Sequence, residues 1–386
     1  MRLVLQRFEQ RWSIFSPTVA RIILFCTITN CQLSVMIKIP FNFLQNILFL
    51  MGPQRAQRFV LSNIDRWMNL GFIDPYIHDL TEDPIELMGL RFPNTIGLAA
   101  GFDYEAKCVS GLGGLGFGHI EVGSVSEIAR PIKKCSLRRP SQSVACSEGI
   151  ACASVERVLE NLKSAAAYRN RGGILGINII GEICEDSKKT SEAFIAPLRK
   201  LYRHADYVTL NLTSGLGRGF SAQYKGQVAL TLKKVVEERE RLMQTEGLPY
   251  LPISVKVAGG QDNDTLLWLA DQLLYYRFDA IVAVGGGVGI AGERLSGNAL
   301  KDRSIEVVRL LSNHVQGNLP IIASGGILTP DDALERVNAG ASLVQIFSGL
   351  IFNGPGLVAE ASDQVARWRQ TQKGVMKSLR PSSASF

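Results

Sequence analysis

Histidine is scarce in this chain and cysteine follows no framework. Four histidines, at positions 78, 119, 204 and 314, occur among 386 residues. No two sit at metal-ligand spacing, which argues against a structural or catalytic metal. The seven cysteines, Cys26, Cys31, Cys108, Cys135, Cys146, Cys152 and Cys184, include no C-x-x-C pair. An odd number without a framework reads as free thiols in a reducing compartment. There is no long Lys/Arg run and no zinc-finger spacing, so no nucleic-acid partner is expected. A clean membrane span is missing too. Between Arg21 and Lys38 lies "IILFCTITNCQLSVMI", apolar but broken by Asn30 and Gln32, short for a span and without a signal-peptide cleavage site. Residues 1–38 therefore read either as a membrane segment or as a non-native extension with Met36 as the start.

What is present is ordinary globular material, 46% hydrophobic and 20% charged. At this length one large α/β domain with an appendage is expected. The net charge of +7 suits an anionic ligand or an anionic membrane surface equally. From Phe41 to Met51 the run "FNFLQNILFLM" is strongly apolar, and Gly52-Pro53 breaks it. Ala56, Phe59, Val60, Ile64, Trp67 and Met68 then recur at helical spacing up to Gly71. Residues 41–71 thus read as two helices. They either pack on a core or form a hydrophobic entrance lying on a membrane.

After about residue 90 short apolar runs alternate with longer amphipathic stretches. The strand candidates are "TIGLAA" (95–100), "HIEVGSV" (119–125), "GILGINI" (173–179), "YVTLNL" (207–212), "ISVKVA" (253–258), "AIVAV" (280–284), "PIIASG" (320–325) and "LVQIF" (343–347). Helices are expected over 154–170, 187–203, 225–244, 264–277 and 301–315. This rhythm predicts a (β/α)8 TIM barrel, with a doubly wound open sheet as the alternative. "GLGGLG" (111–116) only imitates a dinucleotide fingerprint, because it precedes a strand. The resulting division is a helical region over 39–80, the barrel over 81–375 and a flexible tail over 376–386.

In such a barrel the chemistry sits at the C-terminal strand ends. These read Ala99-Ala100-Gly101, Gly123-Ser124, Asn178, Asn211, Lys256, Ala283, Gly325-Gly326 and Phe347-Ser348-Gly349. Small residues let a large flat ligand approach the backbone, and amides pair with ring heteroatoms. "SGG" (324–326) and "FSG" (347–349) suggest a phosphate cradle of backbone N–H groups. Lys256 is the only cation among the strand ends and calls for an anionic partner such as a reduced flavin. Any one of these glycines alone reads as a turn. "YVTLNLTSGLGRG" (207–219) poses the same choice, a catalytic base at the mouth or a turn.

The motifs "NTIGLAAGFD", "GLGGLGFGHIEVGSV", "LGINI", "LSG" (295–297), "PIIASGGI" and "AGASLVQIFSGLIFNGP" resemble dihydroorotate dehydrogenase over roughly residues 40–370. With the helical N-terminal region, the chain is similar to the membrane-associated, quinone-dependent class. The resemblance implies a barrel that binds FMN, a quinone reaching it through a tunnel under the N-terminal helices, and a serine base on the loop after strand four. It also implies a protein held peripherally at the cytoplasmic side of a membrane. Carried over residue by residue, it places Ala99, Ala100, Gly101, Ser124, Asn178, Asn211 and Lys256 at the flavin ring. Ser296, Gly297, Gly325, Gly326, Phe347 and Ser348 fall at its ribityl and phosphate end. Ser214 matches the catalytic base, and Tyr104 and Asn211 fall on the substrate side.

The substrate side departs from the family's pattern. The family's G-x-D-K reads Gly101-Phe102-Asp103-Tyr104 here, which removes the substrate lysine. The N-R-x-G-F-N loop aligns with "CSEGIA" (146–151), without asparagines. S-S-P-N-T becomes Thr213-Ser214-Gly215-Leu216-Gly217, and after strand six T-N-T gives way to Ala283-Val284-Gly285. Each lost buried partner typically costs about 1–3 kcal/mol. Dihydroorotate recognition should therefore suffer, and the pocket favours a less charged ring or stays empty. A non-catalytic FMN-binding or interaction protein remains the alternative. An enoate reductase or tRNA dihydrouridine synthase is disfavoured by the missing His-x-x-Asn or His-x-x-His pattern and basic RNA-binding tail.

Overall fold

Runs rich in Val and Ile after residue 95 form strands, because branched side chains fit a pleated, buried surface better than a helix. The computed structural model describes residues 41–74, 80–131, 135–147, 150–213 and 218–378. The segment 1–38, the serine loop 214–217 with Ser214, and the tail from 379 onward lie outside the described residues.

The chain starts with two helices, α1 (Phe41–Leu50) and α2 (Pro53–Asn69), with Pro53 in the first turn of α2 as its fixed φ allows. A hairpin of β1 (Ile85–Leu87) and β2 (Leu90–Phe92) follows. Then come β3 (Ile96–Leu98), α3 (Val109–Gly113), β4 (His119–Ser126), β5 (Cys135–Arg138), β6 (Ser143–Cys146) and β7 (Ala153–Ser154). Next are α4 (Val155–Asn161), α5 (Ala166–Asn170), β8 (Ile174–Ile180), α6 (Ser187–Leu201), β9 (Tyr207–Asn211), α7 (Lys225–Glu246), β10 (Ile253–Val257) and α8 (Asn263–Tyr275). The last elements are β11 (Ala280–Ala283), β12 (Gly287–Val288), β13 (Arg294–Gly297), α9 (Lys301–Val315), β14 (Ile321–Ser324), α10 (Pro330–Asn338), β15 (Leu343–Ile346), α11 (Ser348–Asn353) and α12 (Gly356–Ser378).

The main sheet runs β3-β15-β14-β11-β10-β9-β8-β4, and β4 pairs back with β3 to close a parallel barrel. All eight expected strands are its staves, so the (β/α)8 TIM barrel replaces the open-sheet alternative. Short polar caps start the helices that pack around it. Asp186 accepts from the N–H groups of Lys188 and Lys189, and Asp262 from that of Thr265. Thr329 and Asp332 form a capping box at α10. The single helix expected over 154–170 is interrupted by a tighter turn at Leu162–Ala165. There Asn161 and Ser164 donate from their side chains to the carbonyls of Glu105 and Ala106, tying this stretch to the loop after β3.

Two features lie outside what the sequence reading expected. The β1–β2 hairpin brings Phe92 edge-on to buried His119, with ring centroids 5.5 Å apart, at the N-terminal end of the barrel. A four-stranded sheet, β12-β13-β6-β5, stands over the opposite end. Its antiparallel register places Cys135 opposite Cys146, and the two form a disulfide. The all-free-thiol reading is therefore corrected. The pairing depends on a hairpin eleven residues across rather than on a local C-x-x-C, and Cys108, Cys152 and Cys184 are free.

The helical pair packs directly on the barrel. Gln45 donates to the carbonyls of Ile351 and Phe352, at 3.1 and 2.5 Å, and Gln57 to that of Phe102 at 2.9 Å. Ala56 and Ile64 are buried, whereas Phe43, Leu50, Leu70 and Phe72 stay exposed. The pair thus has one face packed on the barrel and apolar groups left exposed on the other. Among the described residues no helix is long and apolar enough to cross a membrane.

Candidate active site at the barrel mouth

Strand alternation sorts the buried runs into two faces. In β9, Val208 and Leu210 belong to the apolar core with Ile120, Val122, Ile177, Val255 and Val257 of neighbouring staves. The alternate residues Tyr207, Thr209 and Asn211 join polar partners inside the barrel. Glu121 of β4 is the hub of that interior. Its carboxylate accepts from Asn178 at 2.8 Å, Thr209 at 2.9 Å, Gln345 at 2.9 Å and Tyr207 at 3.3 Å. Lys256 lies 3.8 Å from it. Burial lowers the Lys256 pKa, and Glu121 opposes that shift. Burial also drives the Tyr207 phenol well above its ordinary range, with the charge of Glu121 adding to it. A buried carboxylate is tolerated only when partners replace its water, and Glu121 has them on both oxygens.

Above this hub sits a triangle of expected site residues. Asn211 donates to Asn178 at 2.9 Å and to Ser124 at 3.1 Å, and Ser124 donates to Asn178 at 2.7 Å. Thr213 donates to the Asn211 side-chain oxygen at 2.6 Å, just before the serine loop. Ala99, Ser124, Asn178, Asn211 and Lys256 are buried, whereas Ala100 and Gly101 reach the surface of the mouth. Gly101 donates its N–H to the carbonyl of Gly123 at 2.7 Å, joining the first two strand ends. Phe347 packs edge-on against Phe102, with centroids 6.1 Å apart.

The glycine-rich ends gather on the other side of the mouth. The hydroxyls of Ser296 and Ser348 are 3.1 Å apart, although 52 residues separate them in sequence. Gly325 and Gly326 hold φ of +91° and +71°, where a side chain is strained. A Cβ at Gly326 would collide with the Lys301 backbone. Gly297, in β13, is likewise pressed against the Gln142 carbonyl. This bare, close-packed corner opens at the start of α11, where the Leu350 N–H donates to the Phe347 carbonyl at 3.2 Å. Small glycines, hydroxyls and close-lying backbone N–H groups are what a phosphate takes. The two amides and one lysine on the opposite side suit a heteroaromatic ring. The residues present therefore fit FMN.

Two site residues and one segment stand apart from these clusters. Tyr104 lies on the β3–α3 loop, half-buried, beyond the Phe102–Phe347 contact. Burial, and then the charge of Glu105, hold its phenol above 10, so it is a neutral donor. Ser214 lies outside the described residues, one position beyond buried Thr213. "CSEGIA" is described only in part: Cys146 ends β6, and 148–149 lie outside the described residues.

Two residues escaped the sequence reading. Glu121 has a signal there, a lone carboxylate inside the apolar run "HIEVGSV". Arg294 had a weaker one, standing two positions before Ser296 in "ERLSG". Its guanidinium Nη2 donates to the Gly285 carbonyl at 2.6 Å, at the end of β11. Only β13 folding back over the mouth puts it there.

Comparison with known proteins agrees with this geometry. The family model described as dihydroorotate dehydrogenase matches residues 84–368. Dihydroorotate dehydrogenase (quinone) of Teredinibacter turnerae is 33% identical over 345 residues, covering 84% of this chain and 99% of that protein. The protein of the same name from Nitrosomonas europaea is 34% identical over 334 residues, covering 83% and 96%. Among solved structures, Eimeria tenella DHODH in complex with ferulenol superposes with a TM-score of 0.68 at 23% identity, covering 84% of this chain and 93% of that one. Its ligand-free form gives the same TM-score at 22% identity, covering 84% and 99%. At that identity the structures speak for the fold alone.

Proposed function

The chain belongs to the dihydroorotate dehydrogenase family, and on that premise we propose that it is an FMN-dependent oxidoreductase of the quinone-reducing type with altered dihydroorotate specificity. The observation that carries this reading is the Glu121-anchored group of Asn178, Asn211 and Lys256, facing the bare corner of Gly325, Gly326, Ser296 and Ser348 across one mouth. Bound FMN supplies a two-electron acceptor for hydride from a small-molecule substrate. Asn178 and Asn211, held by Ser124 and Glu121, are pre-aimed hydrogen-bonding groups and cost little reorganisation on binding. Lys256 carries positive charge to the site, and Glu121 keeps that charge from standing alone. Ala99, Ala100 and Gly101 let a flat ring lie close to the backbone, and Gly297 and Phe347 border its other end.

Ser214 is the proposed base. A serine hydroxyl needs a relay to accept a proton at neutral pH, and the Thr213–Asn211 bond leads toward its loop. Residues 41–71 are the proposed quinone side and membrane face. Phe43 and Leu50 of α1 and Leu70 just after α2 are exposed apolar groups there, with Phe72 adjoining, and the two helices touch Phe102 and Phe352. These exposed groups support peripheral membrane association; the barrel's place on the cytoplasmic side is part of the same proposal.

The test is spectroscopic. Protein purified with excess FMN and then desalted should keep flavin absorbance, and a suitable donor should bleach it anaerobically. Dihydroorotate should bleach it slowly or not at all, because Tyr104 cannot neutralise a carboxylate and the asparagine loop is gone. Loss of all flavin on desalting would defeat the FMN assignment. Rapid bleaching at micromolar dihydroorotate would instead restore ordinary family specificity.

A further inference from the structure

Arg294 projects from β13 into the upper barrel, where the end of β11 has no side chains to meet it. Its Nη2 donates to the Gly285 carbonyl at 2.6 Å, and a Cβ built on Gly286 would lie 2.7 Å from its Nε. The guanidinium thus takes the space that a side chain at 286 would fill. Gly285 also touches the rest of the site: a Cβ there would lie 2.6 Å from Thr213 Cγ2 and 3.0 Å from Lys256 Cε. Arg294 therefore stands beside Lys256 and next to the residue that leads into the serine loop.

The charges around it are unbalanced. Glu293, its neighbour in sequence, pairs with Arg138 at 2.6 Å, and Glu121 is the acid of Lys256. Among the described residues no carboxylate pairs with Arg294. Burial lowers its pKa to about 10, which leaves it protonated at neutral pH. Among the described residues, Lys256 and Arg294 thus border the mouth with Glu121 as the one acid paired to either. Desolvated charge of this kind is costly without a partner, and one edge of the guanidinium fork is still free for a planar acid.

We propose that Arg294 is the specificity-determining residue of the substrate pocket, binding the acid group of a planar anionic substrate from the β13 side. The assignment rests on the proposed FMN oxidoreductase reading and names its substrate class. It replaces the expectation of a less charged ring or an empty site. The family's lysine position holds neutral Tyr104, and the positive charge has moved across the mouth to β13. Carboxylate recognition is retained, but the acid group enters from another direction. Dihydroorotate, whose ring also lacks its former amide partners, is then accepted poorly while planar acids as a class still bind.

The experiment compares wild-type protein with Arg294→Gln, which keeps the stem, and Arg294→Lys, which keeps the charge. Flavin content is read first by absorbance, which judges the FMN reading separately. Binding of orotate and benzoate, and of their uncharged counterparts uracil and benzamide, is then measured by calorimetry on protein with and without FMN. Wild type should prefer each acid to its uncharged counterpart. Arg294→Gln should lose about tenfold or more in acid affinity with uracil and benzamide unchanged, and Arg294→Lys should recover part of the loss. Equal acid binding by wild type and Arg294→Gln, including none by either, overturns the proposal. So does a rise in flavin content in Arg294→Gln, which would mean that the arginine occupies the cofactor's own space.

Discussion

Glu121 and Arg294 sit in two regions of the same barrel, the interior and the rim, and their surroundings are opposite. Glu121 has five partners, Asn178, Tyr207, Thr209, Gln345 and Lys256, contributed by four other staves. Among the described residues Arg294 has one backbone carbonyl and no acid. The interior is a closed polar network that locks five strands in register. The rim is left short of partners. Saturated polar groups specify the scaffold, whereas a cation without an acid is a place for something from outside.

The comparison can be broken most sharply at Glu121. Glu121→Ala leaves Lys256 buried without an acid and orphans four donors, and should cost about 3–5 kcal/mol in denaturant unfolding. Arg294→Gln should change stability by no more than about 1 kcal/mol. Similar losses from the two would erase the distinction between interior and rim.

A second prediction concerns the floor of the interior. His119 is fully buried against Phe92, and neither ring nitrogen has a hydrogen-bond partner in the described structure. Burial lowers its pKa from 6.5 to about 4, opposed by Glu121. The unfolded chain therefore binds the proton first as pH falls. The stability contribution is complete above pH 6.5 and is lost progressively as pH drops toward 4, by roughly 3 kcal/mol. Denaturation at pH 7 and pH 4.5 checks this, and a His119→Leu variant should lose this part of the pH dependence.

The smallest effect is expected at the rim's other side. Tyr104→Phe removes one neutral donor and should weaken orotate binding by no more than about 1 kcal/mol. A loss exceeding that of Arg294→Gln would return anion recognition to the β3–α3 loop.

The eight staves were legible because each is a short apolar run bounded by glycine or a polar turn, and because helix-length amphipathic stretches separate them. The strand-end positions proposed for the flavin site could be named on the same basis, since a barrel displays whatever stands at its strand ends, whereas Ser296 and Gly297 rested on the family resemblance. Their mutual contacts could not. Ser124, Asn178 and Asn211 are 33 to 87 residues apart and meet only through β4, β8 and β9 lying side by side. The Cys135–Cys146 disulfide and the sheet over the mouth were invisible for the same reason, because "CSLR" and "SVAC" carry no strand-length apolar pattern.

Local chemistry in the sequence thus determined the strand–helix rhythm, the count of barrel staves, the motifs that carry the family resemblance and the bareness of the glycine-rich corner, because propensity, glycine placement and strand alternation act over a few residues. Tertiary structure decided which charges are answered and which are not. Glu121 became a satisfied hub because five strands converge on it. Arg294 became a cation of the active-site mouth because antiparallel pairing with β6 folds β13 back over the barrel, with Arg294 opposite Cys146. Such pairing joins residues 148 positions apart in sequence (146 and 294), and only the closed fold holds them there.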